Sequence, residues 1–358
     1  MRGLVMVLMA LDHSSESFNA GRLFTDGAFV YRPGTPLPAA QFLTRWVTHL
    51  CAPTFVFLAG SSLALQIDRR ISSGESAWAI DRDLVSRGIV IAAFELWVSW
   101  FWMPPGRWLL QVLYAIGTSF LCMVPLRRLP TAVLVCIAVG VLSLTEKVTA
   151  VLGWGPPHAT PLLASLLLVP GRRAGVIVGY PTLPWLAIML LGWAFGRLLV
   201  RRPDPRSTSR MLALSGLALL ALFAAVRGLN AYGNMGLLRE DATVLQWLHV
   251  SKYPPSLTFA ALELGVMLLC LAGFTVAETR VSPREGGLLM VLGRTPMFFY
   301  LLHIPCLVLA ARSLHVENSL GLAWTYFGAA AVIALLYPFC RRYGRYKAMH
   351  RRGWPRYI

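Results

Sequence analysis

Apolar residues along this chain come in long blocks, not in the alternating or one-faced patterns of soluble elements. Segments such as 50–65, 183–200, 211–226 and 257–277 approach or exceed the roughly 17–25 residues that cross a bilayer as helix. The blocks predict ten spans, at 1–18, 46–67, 84–103, 108–126, 130–146, 182–200, 211–228, 255–277, 287–310 and 319–340. The expected fold is all-α, a polytopic transmembrane helical bundle with both termini cytoplasmic. Residues 1–340 are read as one membrane domain and 341–358 as a basic cytoplasmic tail. Met1–Leu11 is followed by Asp12-His13-Ser14 where a signal peptide would place a small-residue cleavage site, so it belongs to the first span.

Three connections are long. Residues 14–45 hold Pro33, Gly34, Pro36 and Pro38, which break regular helix. Residues 147–181 carry a ten-residue apolar run from Pro161 to Pro170, too short to span and read as interfacial or re-entrant. Residues 229–256 gather Asn230, Tyr232, Asn234, Gln246, His249 and Lys252 before Tyr253-Pro254-Pro255-Ser256. All three fall on the outer side of the ten-span arrangement, which suggests a binding surface there. There is no fixed-period repeat and no duplication of halves.

Composition sharpens the class. With 56% hydrophobic and 14% charged residues and a mean hydropathy of +0.61, the chain departs from the about 45–50% apolar and 25% charged of soluble domains. The net charge of +17 would suit nucleic acid, but the arginines sit in short clusters between apolar blocks and form no aromatic-lined basic groove, so nucleic acid is not an expected partner. With the N-terminus inside, 21 of the 33 basic residues are cytoplasmic, 11 are outside and Arg294 lies within a span, as the positive-inside rule requires. The tail, with Arg341, Arg342, Arg345, Lys347, Arg351, Arg352 and Arg356, is suited to anionic lipids. The cell membrane is the expected location. The six cysteines lie in or beside apolar blocks without CxxC spacing, so neither a disulfide framework nor a metal site is indicated.

Ionisable groups inside a bilayer cost about 2.5–3.5 kcal/mol on insertion scales and are functional candidates by default. Asp12-His13 is the most informative pair. With Arg2 at the cytoplasmic boundary, helix at 1.5 Å per residue puts His13 roughly 16–17 Å deep. An imidazole there can take a proton from an attacking hydroxyl or amine, and Asp12, Ser14, Ser15 and Glu16 favour a wet cavity. The competing account is a polar ring satisfied by a neighbouring helix. His49, beside Trp46 at the outer mouth of span two, divides between catalysis and an interfacial role. His303, two residues before Pro305, suits a helix–helix hydrogen bond equally well. Arg87, Glu95, Glu263 and Arg294 are expected to seek opposite charges across helices, or to line a pathway if the chain is a transporter. Ala59-Gly60-Ser61-Ser62 and the pair Gly192/Gly196 predict close helix packing.

Several strings together resemble a known family. Arg2-Gly3-Leu4-Val5-Met6-Val7-Leu8-Met9-Ala10-Leu11-Asp12-His13 is similar to the opening of heparan-α-glucosaminide N-acetyltransferase-like membrane proteins, and acyltransferase-3-type proteins show a similar arginine, ten residues, then histidine. Ala52-Pro53-Thr54-Phe55-Val56-Phe57-Leu58-Ala59-Gly60-Ser61-Ser62 resembles the second-helix signature of the first group. Gln111 to Gly117, Tyr180 to Trp185, Tyr253 to Leu257 and Gly293 to His303 continue the likeness. The family's luminal His-Ala-x-x-Asn-Gly-type stretch is missing from residues 19–45, and His13 and His49 stand where those enzymes tend to carry asparagine and aspartate. Family members usually have charged residues before the first arginine; with a start at Met1–Arg2, a truncated or mis-started N-terminus that shortens span one stays open.

The resemblance implies acyl transfer across a membrane. The donor would be cytoplasmic acetyl-CoA or another acyl-CoA, and the acceptor an amine or hydroxyl of an extracytoplasmic sugar or envelope glycan. No permanently bound cofactor is expected. His13, His49 and Asp12 are the candidate catalytic residues; Arg2, Arg45, Tyr114, Lys252, Tyr253, Arg294 and His303 are the candidate substrate-binding residues. The alternative is a transporter or exporter of an envelope intermediate or anionic solute. Oligomeric state is open, with a homo-oligomer allowed.

Overall fold

The structure is a computed structural model that describes residues 1–153, 158–201, 204–281, 284–350 and 353. Arg202 of the basic clusters and Arg351, Arg352 and Arg356 of the tail lie outside the described residues. In chain order the elements are α1 (Arg2–Phe18), α2 (Ala39–Thr48), α3 (Cys51–Ser72), α4 (Ala77–Trp102), β1 (Trp108–Leu110), α5 (Val112–Leu126), α6 (Thr131–Val151) and α7 (Leu162–Leu167). There follow β2 (Gly171–Arg173), β3 (Val176–Val178), α8 (Thr182–Arg201), α9 (Pro205–Leu229), α10 (Val244–Leu248), α11 (Leu257–Arg280), α12 (Leu288–Arg294), α13 (Pro296–Ser313) and α14 (Leu322–Met349).

Among the described residues, eight helices are long and apolar enough to cross a membrane, with α2 and α3 counted together as Ala39–Ser72. The other two expected spans correspond to α1, of 17 residues, and α5, of 15. The apolar windows of α6 and α9 are only 22% buried within the protein. Such wide apolar flanks are tolerated in lipid and not in water. The chain is a multi-pass membrane protein.

Helix ends follow local chemistry. Ser76 caps α4 by accepting from the Ala79 N–H. Asp204 caps α9 by accepting from Ser207, with Pro205 in the first turn, which starts that helix several residues earlier than its apolar run suggests. Span nine, expected as one piece over 287–310, is two helices. Thr295 leaves helical geometry (φ −125°, ψ 43°), because the following Pro296 disfavours the α conformation before it and brings no N–H. The all-α expectation also gains a small exception. β1 pairs parallel with β3 (Trp108 opposite Val176) and β3 antiparallel with β2 (Val176 opposite Arg173). β2, β3 and α7 lie in the connection read as interfacial or re-entrant, whereas β1 lies between α4 and α5, at the start of the fourth expected span.

The chain divides into two compact units. The first comprises Met1–Phe24, Pro36–Cys51 and Ala277–Ile358. In it α1 packs against α12, α13 and α14. Gly3 lies so close to the Leu289 backbone that any Cβ there would collide with the carbonyl. At the other end of α1, Phe18 accepts from the Leu320 N–H at 2.8 Å and Leu320 accepts from Ala20 at 2.9 Å. α14 runs unbroken past position 340 to Met349, and Tyr343 stacks on Phe298 of α13 at 4.3 Å.

The second unit comprises Thr25–Thr35 and Ala52–Val276. Its core seam joins α3 and α8. Gly192 sits against the Phe57 carbonyl and Gly60 against Met189, so neither position has room for a Cβ. Ser61 donates to the Gly192 carbonyl at 2.9 Å. The small-residue runs read from the sequence are therefore the packing surfaces expected of them.

Candidate active site

Within the first unit, α1 carries a polar cluster toward its C-terminal half. Successive helix residues point about 100° apart, so Asp12 and His13 address different neighbours. Asp12 Oδ1 accepts from Arg45 at 2.5 Å, from Thr48 at 3.0 Å and from Arg22 at 3.1 Å. Arg22 also donates to the Asp12 carbonyl at 2.8 Å and pairs through Nε with Glu16 at 2.7 Å. The Arg45 side chain is only 5% exposed and that of Asp12 14%, which makes this a largely desolvated pair. Asp12 thus fastens α1 to α2.

His13 meets a second imidazole. Its Nδ1 lies 2.7 Å from Nε2 of His303, and the rings stack at 4.9 Å and 19°. His303 is completely buried; its Nδ1 contacts the Phe299 carbonyl at 2.9 Å, and Phe299 stacks on it at 4.9 Å. Tyr300 stands edge-on to both imidazoles. The fresh helical start at Pro296 sets the register of α13, and with it the position of His303 seven residues on.

The other candidates of this unit are His49, Arg2 and Arg294. His49 is buried at the C-terminal end of α2, where its N–H donates to the Trp46 carbonyl at 2.9 Å. Its neighbour Thr48 is one of the Asp12 partners. Arg2 opens α1, and a Cβ built on Gly293 would come within 3.7 Å of Arg2 Cβ. Arg2 and Arg294 therefore share one end of the helix, eleven residues from His13. Arg294 is half exposed, 3.8 Å from Glu285. Sequence reasoning passed over Asn19 and Gln41, which join at 2.7 Å across the start of the long connection. It also passed over Arg22 and Thr48.

The second unit holds Tyr114, Lys252 and Tyr253. Glu95 was expected to seek a cation across helices. It instead accepts from the N–H groups of Leu113 at 2.8 Å and Tyr114 at 3.0 Å, so it caps the amino end of α5, where the helix dipole favours an anion. The Tyr114 hydroxyl donates to the Leu166 carbonyl at 3.2 Å and accepts from Thr182 at 3.3 Å. Arg87 donates to Gln66 at 2.5 Å. Lys252 is buried, with Nζ 5.3 Å from the Tyr253 ring centre and 6.0 Å from that of Tyr180. Glu263 of α11 is buried as well.

The polar connection after α9 is organised by Arg227, which is fully buried. It donates to the carbonyls of Leu237 (2.7 Å), Gln246 (2.7 Å), Trp247 (3.2 Å) and His249 (2.5 Å), and to Asn234 Oδ1 (2.9 Å). Tyr31 donates to Glu240 at 2.5 Å; burial and this carboxylate hold its phenol above the ordinary range. His249 contacts the Thr25 carbonyl through Nε2 at 2.9 Å, and burial lowers its pKa below 6.5. Several polar residues that the sequence singles out in this connection are therefore engaged in holding their own loop together.

The family model described as heparan-alpha-glucosaminide N-acetyltransferase, catalytic, matches residues 1–232. The chain belongs to this family. Curated proteins yield no match. Membership in the heparan-alpha-glucosaminide N-acetyltransferase family, with the apolar helices above, makes this a membrane acetyltransferase-type protein. The matched stretch holds Arg2, Asp12, His13, Arg45, His49 and Tyr114, whereas Lys252, Tyr253, Arg294 and His303 lie beyond it.

Proposed function

We propose that the chain transfers an acetyl group from acetyl-CoA to an amine or hydroxyl of an extracytoplasmic sugar or glycan, with His13 as the base. The observation that carries this reading is the arrangement along α1. Two arginines, Arg2 and Arg294, mark one end, and a paired imidazole, His13–His303, lies eleven residues along, roughly 16–17 Å at helical rise. Arginine at the first position suits the phosphates of a coenzyme A donor held from the cytoplasmic side.

In the proposed step the acceptor nitrogen or oxygen attacks the thioester carbonyl while His13 takes its proton. A C–N or C–O bond forms and the C–S bond breaks. The proton on His13 then passes to the departing thiolate. His49 is retained as a proposed catalytic residue, Lys252 and Tyr253 of the second unit as proposed substrate contacts, and the basic end of α14 as a proposed contact for anionic lipid.

The test is purified protein in liposomes with labelled acetyl-CoA and a panel of amino sugars. Label should move to an acceptor, and His13→Ala should abolish the transfer. Full transfer by the His13→Ala/His49→Ala double variant would overturn the assignment. Solute accumulation without any acyl donor would overturn the reaction itself and favour export.

A further inference from the structure

The contacts of His303 bear on which nitrogen of His13 can act. The Phe299 carbonyl can only accept, so the 2.9 Å contact requires a proton on His303 Nδ1. His303 is sealed from solvent, and its described ring neighbours are Phe299, Tyr300 and His13. Such an apolar and neutral enclosure favours an uncharged ring. A neutral ring with its proton on Nδ1 has a bare lone pair on Nε2. That lone pair faces His13 Nδ1 at 2.7 Å, so His13 Nδ1 must be the donor of this bond. A neutral His13 with its proton on Nδ1 then has Nε2 as its basic nitrogen.

The geometry points to His303 as a positioning residue that locks His13 in the Nδ1–H tautomer and thereby makes His13 Nε2 the proton-accepting atom of the site. The inference rests on the acetyltransferase reading for what Nε2 does, but the tautomer itself follows from hydrogen-bond chemistry and the uncharged state of the sealed His303 ring. It assigns to a second histidine the orienting part that a carboxylate plays in hydrolase triads. When Nε2 takes the acceptor proton, the Nδ1–H bond to His303 becomes charge-assisted and shortens. His303 loses and gains nothing in the cycle, and the Nε2 proton leaves with the thiolate. His303 lies outside the residues that carry the family match, so the match does not mark it for this role.

Protein labelled with ¹⁵N-histidine in bilayers tests this. The His13 signals, assigned by their loss in His13→Gln, should show a protonated Nδ1 and a bare Nε2. His303→Phe keeps a ring without an acceptor and should shift His13 toward the Nε2–H form. It should also lower kcat by about 100-fold or more, with KM changed by less than about threefold. His303→Gln, whose amide oxygen can accept near the Nε2 position, should recover kcat to within about tenfold of the parent. A wild-type His13 protonated on Nε2, or the same tautomer in wild type and His303→Phe, would overturn the inference even in a chain that transfers acetyl groups. An Nδ1–H tautomer in a chain that transfers none would instead overturn the acetyltransferase reading alone. The wild-type spectrum stands as a test if His303→Phe does not fold.

Discussion

Arg45→Met is the most informative perturbation of the Asp12 cluster. It keeps most of the side-chain volume and removes the guanidinium that lies 2.5 Å from Asp12 with 5% of its side chain exposed. Breaking a buried ion pair by deleting one partner costs about 3–5 kcal/mol, because the remaining charge is stranded. Arg22 at 3.1 Å and Thr48 at 3.0 Å stay on the carboxylate, which argues for the lower end, about 3 kcal/mol. That is roughly a 150-fold change in the folded-to-unfolded ratio. Equilibrium unfolding in mixed micelles, followed by tryptophan fluorescence, reads it directly. Asp12→Asn and the double variant complete a cycle that isolates the pair from changes in packing. A coupling below about 0.5 kcal/mol would place the pair with solvent-exposed bridges and refute the claim that it fastens α1 to α2.

Two further outcomes are expected in the second unit. Gly192→Ala forces a methyl onto the Phe57 carbonyl and should lower stability by roughly 1–3 kcal/mol, measured as a drop in unfolding midpoint, whereas Gly140→Ala, which meets nothing within 4 Å, should not. Burial lowers the His249 pKa, so the unfolded chain binds the proton more readily. Stability from this group is full above about pH 6.5 and falls as pH drops below it. His249→Gln should flatten that slope in thermal melts between about pH 7.5 and 5, and an unchanged slope would refute it.

The membrane helices were legible because each apolar block is local and long. The expected 1–18 and 182–200 differ from α1 and α8 by a residue or so. Boundaries set by polar chemistry were harder. Asp204 starts α9 ahead of its apolar run, and Pro296 divides a block whose hydropathy is continuous. The three-residue strands have too few positions for a period to register. Candidate residues were readable one at a time, as costly groups in apolar surroundings. Their pairing was not. Asp12 and Arg45 are 33 positions apart and His13 and His303 are 290 apart, and nothing in a single sequence links them. Arg22 and Arg227 looked like ordinary loop and helix-end cations because their partners, a carboxylate and a set of backbone carbonyls, exist only after folding.

The packing of α1 against α12, α13 and α14 has a consequence for biogenesis. Helix α1 meets α12, α13 and α14 only when the last quarter of this sequence has been translated, on the order of tens of seconds after α1 itself at about 5–20 residues per second. Asp12 gains Arg22, Arg45 and Thr48 within 36 residues of chain, whereas His13 waits for the α13 imidazole. A factor that shields His13 during this interval would raise the yield of native protein without changing the stability of the finished bundle.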